Sequence, residues 1–129
     1  MEKTYLLTGY VVHGKALGRT VGMPTANLEP DNDCILLPDG VYAAVACVKN
    51  ESYPAVTNVG TRPSVDESEK RTIESYLIGF DGDIYGEYMY LELIEKIREV
   101  RKMNSLAEVR AQVAKDIVSA EEILKKRLL

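Results

Sequence analysis

Leu37-Pro38-Asp39-Gly40-Val41-Tyr42-Ala43-Ala44-Val45-Ala46-Cys47-Val48 is the stretch that decides the architecture. Its first four residues are a turn signal, and Gly40 to Val48 is a short, strongly apolar strand candidate. The same pattern repeats outward from it. Tyr5 to His13 is a β-branched and aromatic run broken by Gly14 to Gly18. Ser52 to Val59 alternates around Ala55 and Thr57, and Thr72 to Phe80 and Tyr88 to Ile94 follow, joined by the turn Asp81-Gly82-Asp83. Five or six short strands separated by Gly, Pro and Asp turns predict a mainly β fold, an antiparallel barrel or sandwich.

The last quarter of the chain changes period. Ser105-Leu106-Ala107-Glu108 has the S-x-x-E spacing of a capping box, which satisfies two free amides at a helix start. Leu106, Val109, Val113, Ile117, Ala120 and Leu124 then recur every three or four residues as one apolar stripe, expected to pack on the β unit. Lys125, Lys126 and Arg127 fall in the last turn, where positive charge suits the helix dipole. One domain over residues 1–129 is predicted, with the β unit over about 4–97 and the helix over about 105–127.

Composition narrows the classes. A chain of 129 residues with 46% apolar content can close a core and is not a disordered segment. With no Trp, one Phe and eight Tyr, much of the aromatic packing carries a polar tip. The net charge of −4 argues against a generic nucleic-acid binder. Cys34 and Cys47 form no CxxC pair, sit in apolar runs and read as buried thiols, so no disulfide framework is expected. Without a signal-peptide stretch or an apolar run of membrane-spanning length, the expectation is a cytosolic, soluble monomer with no membrane partner.

Three features could carry chemistry. Gly14-Lys15-Ala16-Leu17-Gly18-Arg19 and Gly22 combine glycines, which let a backbone approach a ligand, with two cations able to meet phosphate oxygens. The pattern is not a Walker loop, and the residues alone also suit a glycine-rich hairpin with solvated charges. In Pro24-Thr25-Ala26-Asn27, an extended chain puts Thr25 and Asn27 on one side, placing a hydroxyl and a carboxamide oxygen together. Such oxygens either help hold magnesium, which takes few protein ligands when phosphates complete its shell, or cap a local turn. Glu74 interrupts the run Thr72 to Ile78 and shares a face with Thr72 and Tyr76, either toward solvent or as a base within a cleft. His13 is the single histidine, so a zinc site is not expected, and no hydrolase triad is spaced recognisably.

In order and spacing, Gly9 to Gly14, Gly18 to Leu28, Pro38 to Tyr42, Asn58 to Pro63, and Ile73-Glu74 with Phe80 to Gly86 resemble the signature blocks of the riboflavin kinase family, which includes the kinase part of bacterial bifunctional FAD synthetases. The resemblance implies a six-stranded antiparallel Greek-key β-barrel with a C-terminal helix. It implies ATP-dependent phosphorylation of the riboflavin 5′-hydroxyl, giving FMN and ADP. By the family pattern, Gly14, Lys15, Gly18 and Arg19 cover the ATP phosphates, and Asn58 and Gly60 help form the nucleotide end. Thr25 and Asn27 hold magnesium, or another divalent ion, as well as nucleotide; Glu74 is the general base; and Arg98, Arg101 and Met103 bind flavin. Val100 stands where the family commonly has Glu, Met103 where it has Phe, and Ser75-Tyr76 where it has Thr-His. Met103 can still pack on a flat ring through its sulfur. These changes motivate the alternative of a catalytically weak flavin- or nucleotide-binding regulatory relative with the same barrel. Since no adenylyltransferase unit is seen, the reaction is expected to stop at FMN if the chain is complete.

Overall fold

The computed structural model describes residues 4–12, 25–31, 37–63 and 69–127. His13, Gly14, Lys15, Gly18, Arg19 and Cys34 lie outside the described residues. Strand β3 (Gly40–Val48) is buried on both faces. Its residues Tyr42, Ala44, Ala46 and Val48 point into the barrel, while Val41 and Ala43 face out beneath a helix. That double burial is why its sequence is continuously apolar and does not alternate.

Among the described residues β1 (Tyr5–Val12), β2 (Ala26–Pro30), β4 (Glu51–Pro63), β5 (Glu69–Leu77) and β6 (Tyr88–Arg98) accompany β3, and helix α1 (Leu106–Arg127) follows. All pairings are antiparallel, and the sheet closes in the order β1-β2-β5-β4-β3-β6. β3, β4 and β5 form a meander and β6 returns beside β3, which is the Greek-key arrangement. The predicted six-stranded Greek-key barrel with its C-terminal helix is therefore observed.

Several boundaries differ from the hydropathy reading, each for a local reason. β2 carries only two core residues, Ala26 and Leu28, too few to register as an apolar run. β5 stops at Leu77 because the chain turns at Ile78-Gly79, where Gly79 has φ 80°. β3 and β4 join through Lys49 and Asn50, both at positive φ, the pattern of a two-residue type I′ hairpin that matches strand twist. β1 and β2 approach so closely that a Cβ on Gly9 would lie 1.9 Å from the Glu29 carbonyl oxygen.

Side chains fill the barrel, as its size requires. Ile73, Met89, Leu91 and Leu93 are its largest fully buried members, with Ala44, Ala46 and Ala55 making room for them. A second, smaller apolar cluster forms where Ala120 and Leu124 of α1 meet Val41, Ala43, Val56 and Ile94 on the barrel's outer face. The small side chains of Ala43 and Ala120, both fully buried, let the helix come close. The predicted helix stripe thus divides. Its C-terminal half is core, whereas Leu106 is exposed and Val109 and Val113 are only half-buried.

The capping box forms with one change. The Glu108 amide donates to Ser105 Oγ at 3.1 Å, and the Glu108 carboxylate accepts from the amide of Asn104 rather than that of Ser105. At the other end Arg127 donates to the Ile94 carbonyl oxygen at 3.0 Å and fastens the helix to β6. Cys47 is a free, half-buried thiol.

Candidate active site

Residues directly opposite one another in an antiparallel sheet point to the same face, so one row of the barrel can be read from its register. Asn27 of β2 pairs with Glu74 of β5, Glu74 with Asn58 of β4, Asn58 with Val41 of β3, and Val41 with Arg98 of β6. The row faces outward, because the alternate residues Ile73, Leu77, Ala55 and Val59 fill the interior. Between this face and α1 lies a cavity of about 390 Å³. Thr25, Asn58 and Glu74 form its polar end. Val41, Val56 and Tyr76 line its floor; Val109 and Val113 come from the helix; and Arg98, Arg101 and Met103 lie at the far side. From Glu74 to Arg98 the row crosses three inter-strand spacings, roughly 14 Å.

The polar end is organised around Glu74. Thr25 Oγ1 donates to Glu74 Oε1 at 2.9 Å. Burial is the larger influence on the carboxyl and pushes its pKa above the usual glutamate range, while the Thr25 hydrogen bond opposes that rise. Beneath it, inside the barrel, Thr57 and Ser75 share a hydrogen bond of 2.7 Å with no solvent exposure. Ser75 follows Glu74 and Thr57 precedes Asn58, so this buried bond ties β4 to β5 at the level of the two cleft residues. Asp39 accepts from Thr61 at 2.9 Å and from Arg71 at 2.8 Å, which pins the turn before β3 to β4 and β5.

The sequence-predicted residues that are described fall into two groups. Thr25, Asn58, Glu74, Arg98, Arg101 and Met103 all line the one cavity. Asn27 stands beside Glu74 in register, and Gly60 lies two residues beyond Asn58 on the same strand face, both outside the cavity wall. Arg98 is engaged within the protein, its Nε and Nη2 donating to the two carboxylate oxygens of Asp116 at 2.9 and 2.8 Å. Sequence reasoning missed Asp116, Val109 and Val113 as cavity residues. The available signal was a carboxylate at position 116, set between Val113 and Ala120 on the helix's apolar side.

The donor set fits a cation that arrives on a nucleotide. Thr25 and Asn27 offer neutral oxygens beside one carboxylate, and the described residues contain no group of three or more His, Cys, Asp or Glu able to hold a metal. Magnesium accepts such a setting when phosphates and water supply its other ligands. Thr25 donates its proton to Glu74, which leaves oxygen lone pairs free to face an ion.

A family model described as Flavokinase: Riboflavin kinase matches residues 1–124. The bifunctional riboflavin kinase/FMN adenylyltransferase of Bacillus subtilis (strain 168) is 40% identical over 118 residues, covering 90% of this chain and 37% of that protein. The RNA-binding riboflavin kinase RibR of the same organism is 40% identical over 112 residues, covering 87% of this chain and 48% of that protein. The chain therefore spans less than half the length of these two relatives. The crystal structure of riboflavin kinase from Trypanosoma brucei shares the fold with a TM-score of 0.72 at 24% identity, covering 99% of this chain and 81% of that one. With the family model matched across nearly the whole chain, this protein belongs to the riboflavin kinase family.

Proposed function

We propose that this chain transfers the γ-phosphoryl group of ATP to the 5′-hydroxyl of riboflavin, giving FMN and ADP. The observation that carries the reading is Glu74, a half-buried carboxylate bonded to Thr25 and flanked in register by Asn27 and Asn58, at one end of a cavity whose floor and helix side are largely apolar. Phosphoryl transfer asks a protein for alignment and charge neutralisation more than for covalent chemistry. Glu74 orients the ribityl hydroxyl and takes its proton as the O–P bond forms, while ADP leaves with the electron pair of the broken bond. Thr25 holds the carboxylate in place, and Asn58 borders the same end. Magnesium held on the nucleotide by Thr25 and Asn27 would neutralise phosphate charge. By the resemblance to the family, Gly14, Lys15, Gly18 and Arg19 are assigned to the phosphates, with Gly60 at the nucleotide end. Arg101 and Met103 are assigned to the flavin ring, with Arg98 behind them.

ATP as co-substrate suits a cytoplasmic reaction, and no helix among the described residues is long and apolar enough to cross a membrane. The net charge of −4 keeps nucleic acid outside the proposed partners.

The test is chromatographic: purified protein with riboflavin, ATP and magnesium, with and without the metal. Equal amounts of FMN and ADP that require the metal support the reading. Riboflavin or nucleotide binding without FMN favours the regulatory alternative, and binding of neither overturns both. Asn27→Ala is expected to raise the magnesium and ATP concentrations needed for half-maximal rate roughly 10–100-fold with little change in riboflavin KM. An unchanged metal dependence removes Asn27 from the ion's surroundings.

The pH profile follows from burial of the base. Glu74 acts only when ionised, so kcat/KM is expected to rise with pH through an inflection above the ordinary glutamate range and then level off. A profile with no inflection there in the wild type, or one that persists in Glu74→Gln, assigns the proton transfer elsewhere.

A further inference from the structure

Asp116 sits where barrel, helix and cavity meet. Its side chain is 3% exposed and accepts both arms of the Arg98 guanidinium. Gln112 Nε2 donates to the same carboxylate at 3.1 Å, and Arg98 Nη1 donates to the Glu99 carbonyl oxygen at 3.0 Å. Closer to the helix start, Glu108 and Gln112 each accept from Arg101 at 3.4 Å. Glu108, Gln112 and Asp116 are spaced four apart and so form a polar ladder on one helix face. The ladder faces the segment 98–103, which carries Val100, Arg101 and Met103 into the cavity wall.

These contacts differ in weight. The Arg101 contacts are long and exposed, a class that contributes little. The Arg98–Asp116 fork is short, two-point and shielded, so it fixes direction as well as distance. It is also the contact that joins the last residue of β6 to the middle of α1. With three of its donors used inside the protein, Arg98 acts by holding the wall in place, leaving Arg101 and Met103 to meet a ring.

Resting on the riboflavin kinase reading, we infer that Asp116 is a positioning residue for the flavin end of the site. Through Arg98 it holds the segment 98–103 against α1, so that the part of the cavity remote from Glu74 keeps the shape that receives the ring.

Quenching of riboflavin fluorescence on binding tests this, alongside separate measurement of ATP affinity and of kcat at saturating riboflavin. Asp116→Asn is expected to raise the riboflavin Kd on the order of tenfold to a hundredfold, with ATP affinity and kcat unchanged. Asp116→Glu should recover part of the loss. Glu99→Gln, which breaks the exposed Lys96–Glu99 pair on the same segment, should change nothing. Equal losses for riboflavin and ATP, or a lowered Tm with an unaltered riboflavin Kd, overturn the inference. Should Asp116→Asn fail to fold, Arg98→Lys carries the same comparison, because it keeps the charge and removes the planar fork. A wild-type protein that binds no riboflavin defeats the functional reading itself; a wild type that binds while Asp116→Asn binds equally well defeats only the role of Asp116.

Discussion

Replacing Glu74 with Gln is expected to slow FMN formation on the order of 10²–10⁴-fold while ATP binding persists. Gln keeps the shape of the side chain and an oxygen to accept the Thr25 hydroxyl, so the bond of 2.9 Å has a counterpart in the variant. What it lacks is a site for the proton leaving the ribityl hydroxyl. The same substitution makes an independent claim about stability. Burial raises the Glu74 pKa in the folded protein above its unfolded value, so the folded state holds that proton more tightly. The resulting stabilisation is present below the unfolded pKa and is lost as pH rises through the folded one. Above the folded pKa the ionised carboxylate is therefore a cost to folding that neutral Gln removes, and there the variant's Tm should equal or exceed that of the wild type. Single-turnover FMN formation, ATP titration and thermal melting together separate lost chemistry from lost fold. An active variant, or one that melts lower in that pH range, contradicts the assignment of Glu74 as a desolvated base.

Gly9→Ala is expected to destabilise the protein by about 3 kcal/mol, the upper part of the range for overpacking. Its Cβ would meet the Glu29 carbonyl oxygen at 1.9 Å, and backbone cannot rotate away as a side-chain end can. Relief requires β1 and β2 to separate. β2 is a short strand, and its start carries Asn27 beside Glu74, so the separation also moves the polar end of the cavity. By contrast, Gly79 and Gly86 meet nothing within 4 Å and are constrained only by positive φ. Denaturant unfolding measures the effect: a midpoint shift well below that of a core truncation such as Leu91→Ala would show that the strands tolerate the methyl group. FMN formation should fall with the stability, even at temperatures where the variant remains folded.

Legibility in the sequence followed burial. β3 was readable to the residue because it is enclosed by the barrel interior on one side and by α1 on the other. The alternation of β5 was readable too, setting Glu74 on one face with Thr72 and Tyr76, and the structure turns Ile73, Ser75 and Leu77 inward. Whether that face met solvent or a cleft depended on where α1 docks, a tertiary fact that no local pattern records. β2 escaped the hydropathy reading because only two of its residues enter the core. The helix stripe was visible, but its division into a packed half and a cavity-lining half was not, since apolar side chains serve both purposes. Asp116 was overlooked for a related reason: a charged residue on a helix is ordinarily solvated, and its partner Arg98 lies 18 residues earlier, beyond any helical spacing.

The separation of the two apolar clusters has a mechanical consequence. Barrel and helix meet along a seam packed separately from the barrel interior, and the proposed substrate lies in that seam. The barrel interior closes on its own side chains, whereas the seam depends on a smaller set of contacts, so local opening of the helix need not open the barrel. A ligand touching both sides acts as a clamp, and its apparent affinity is reduced by the fraction of molecules in which the helix stands away. Substitutions in the packed part of the seam away from the cavity, at Ala120 or Leu124, can therefore tune how tightly substrate is held without touching it.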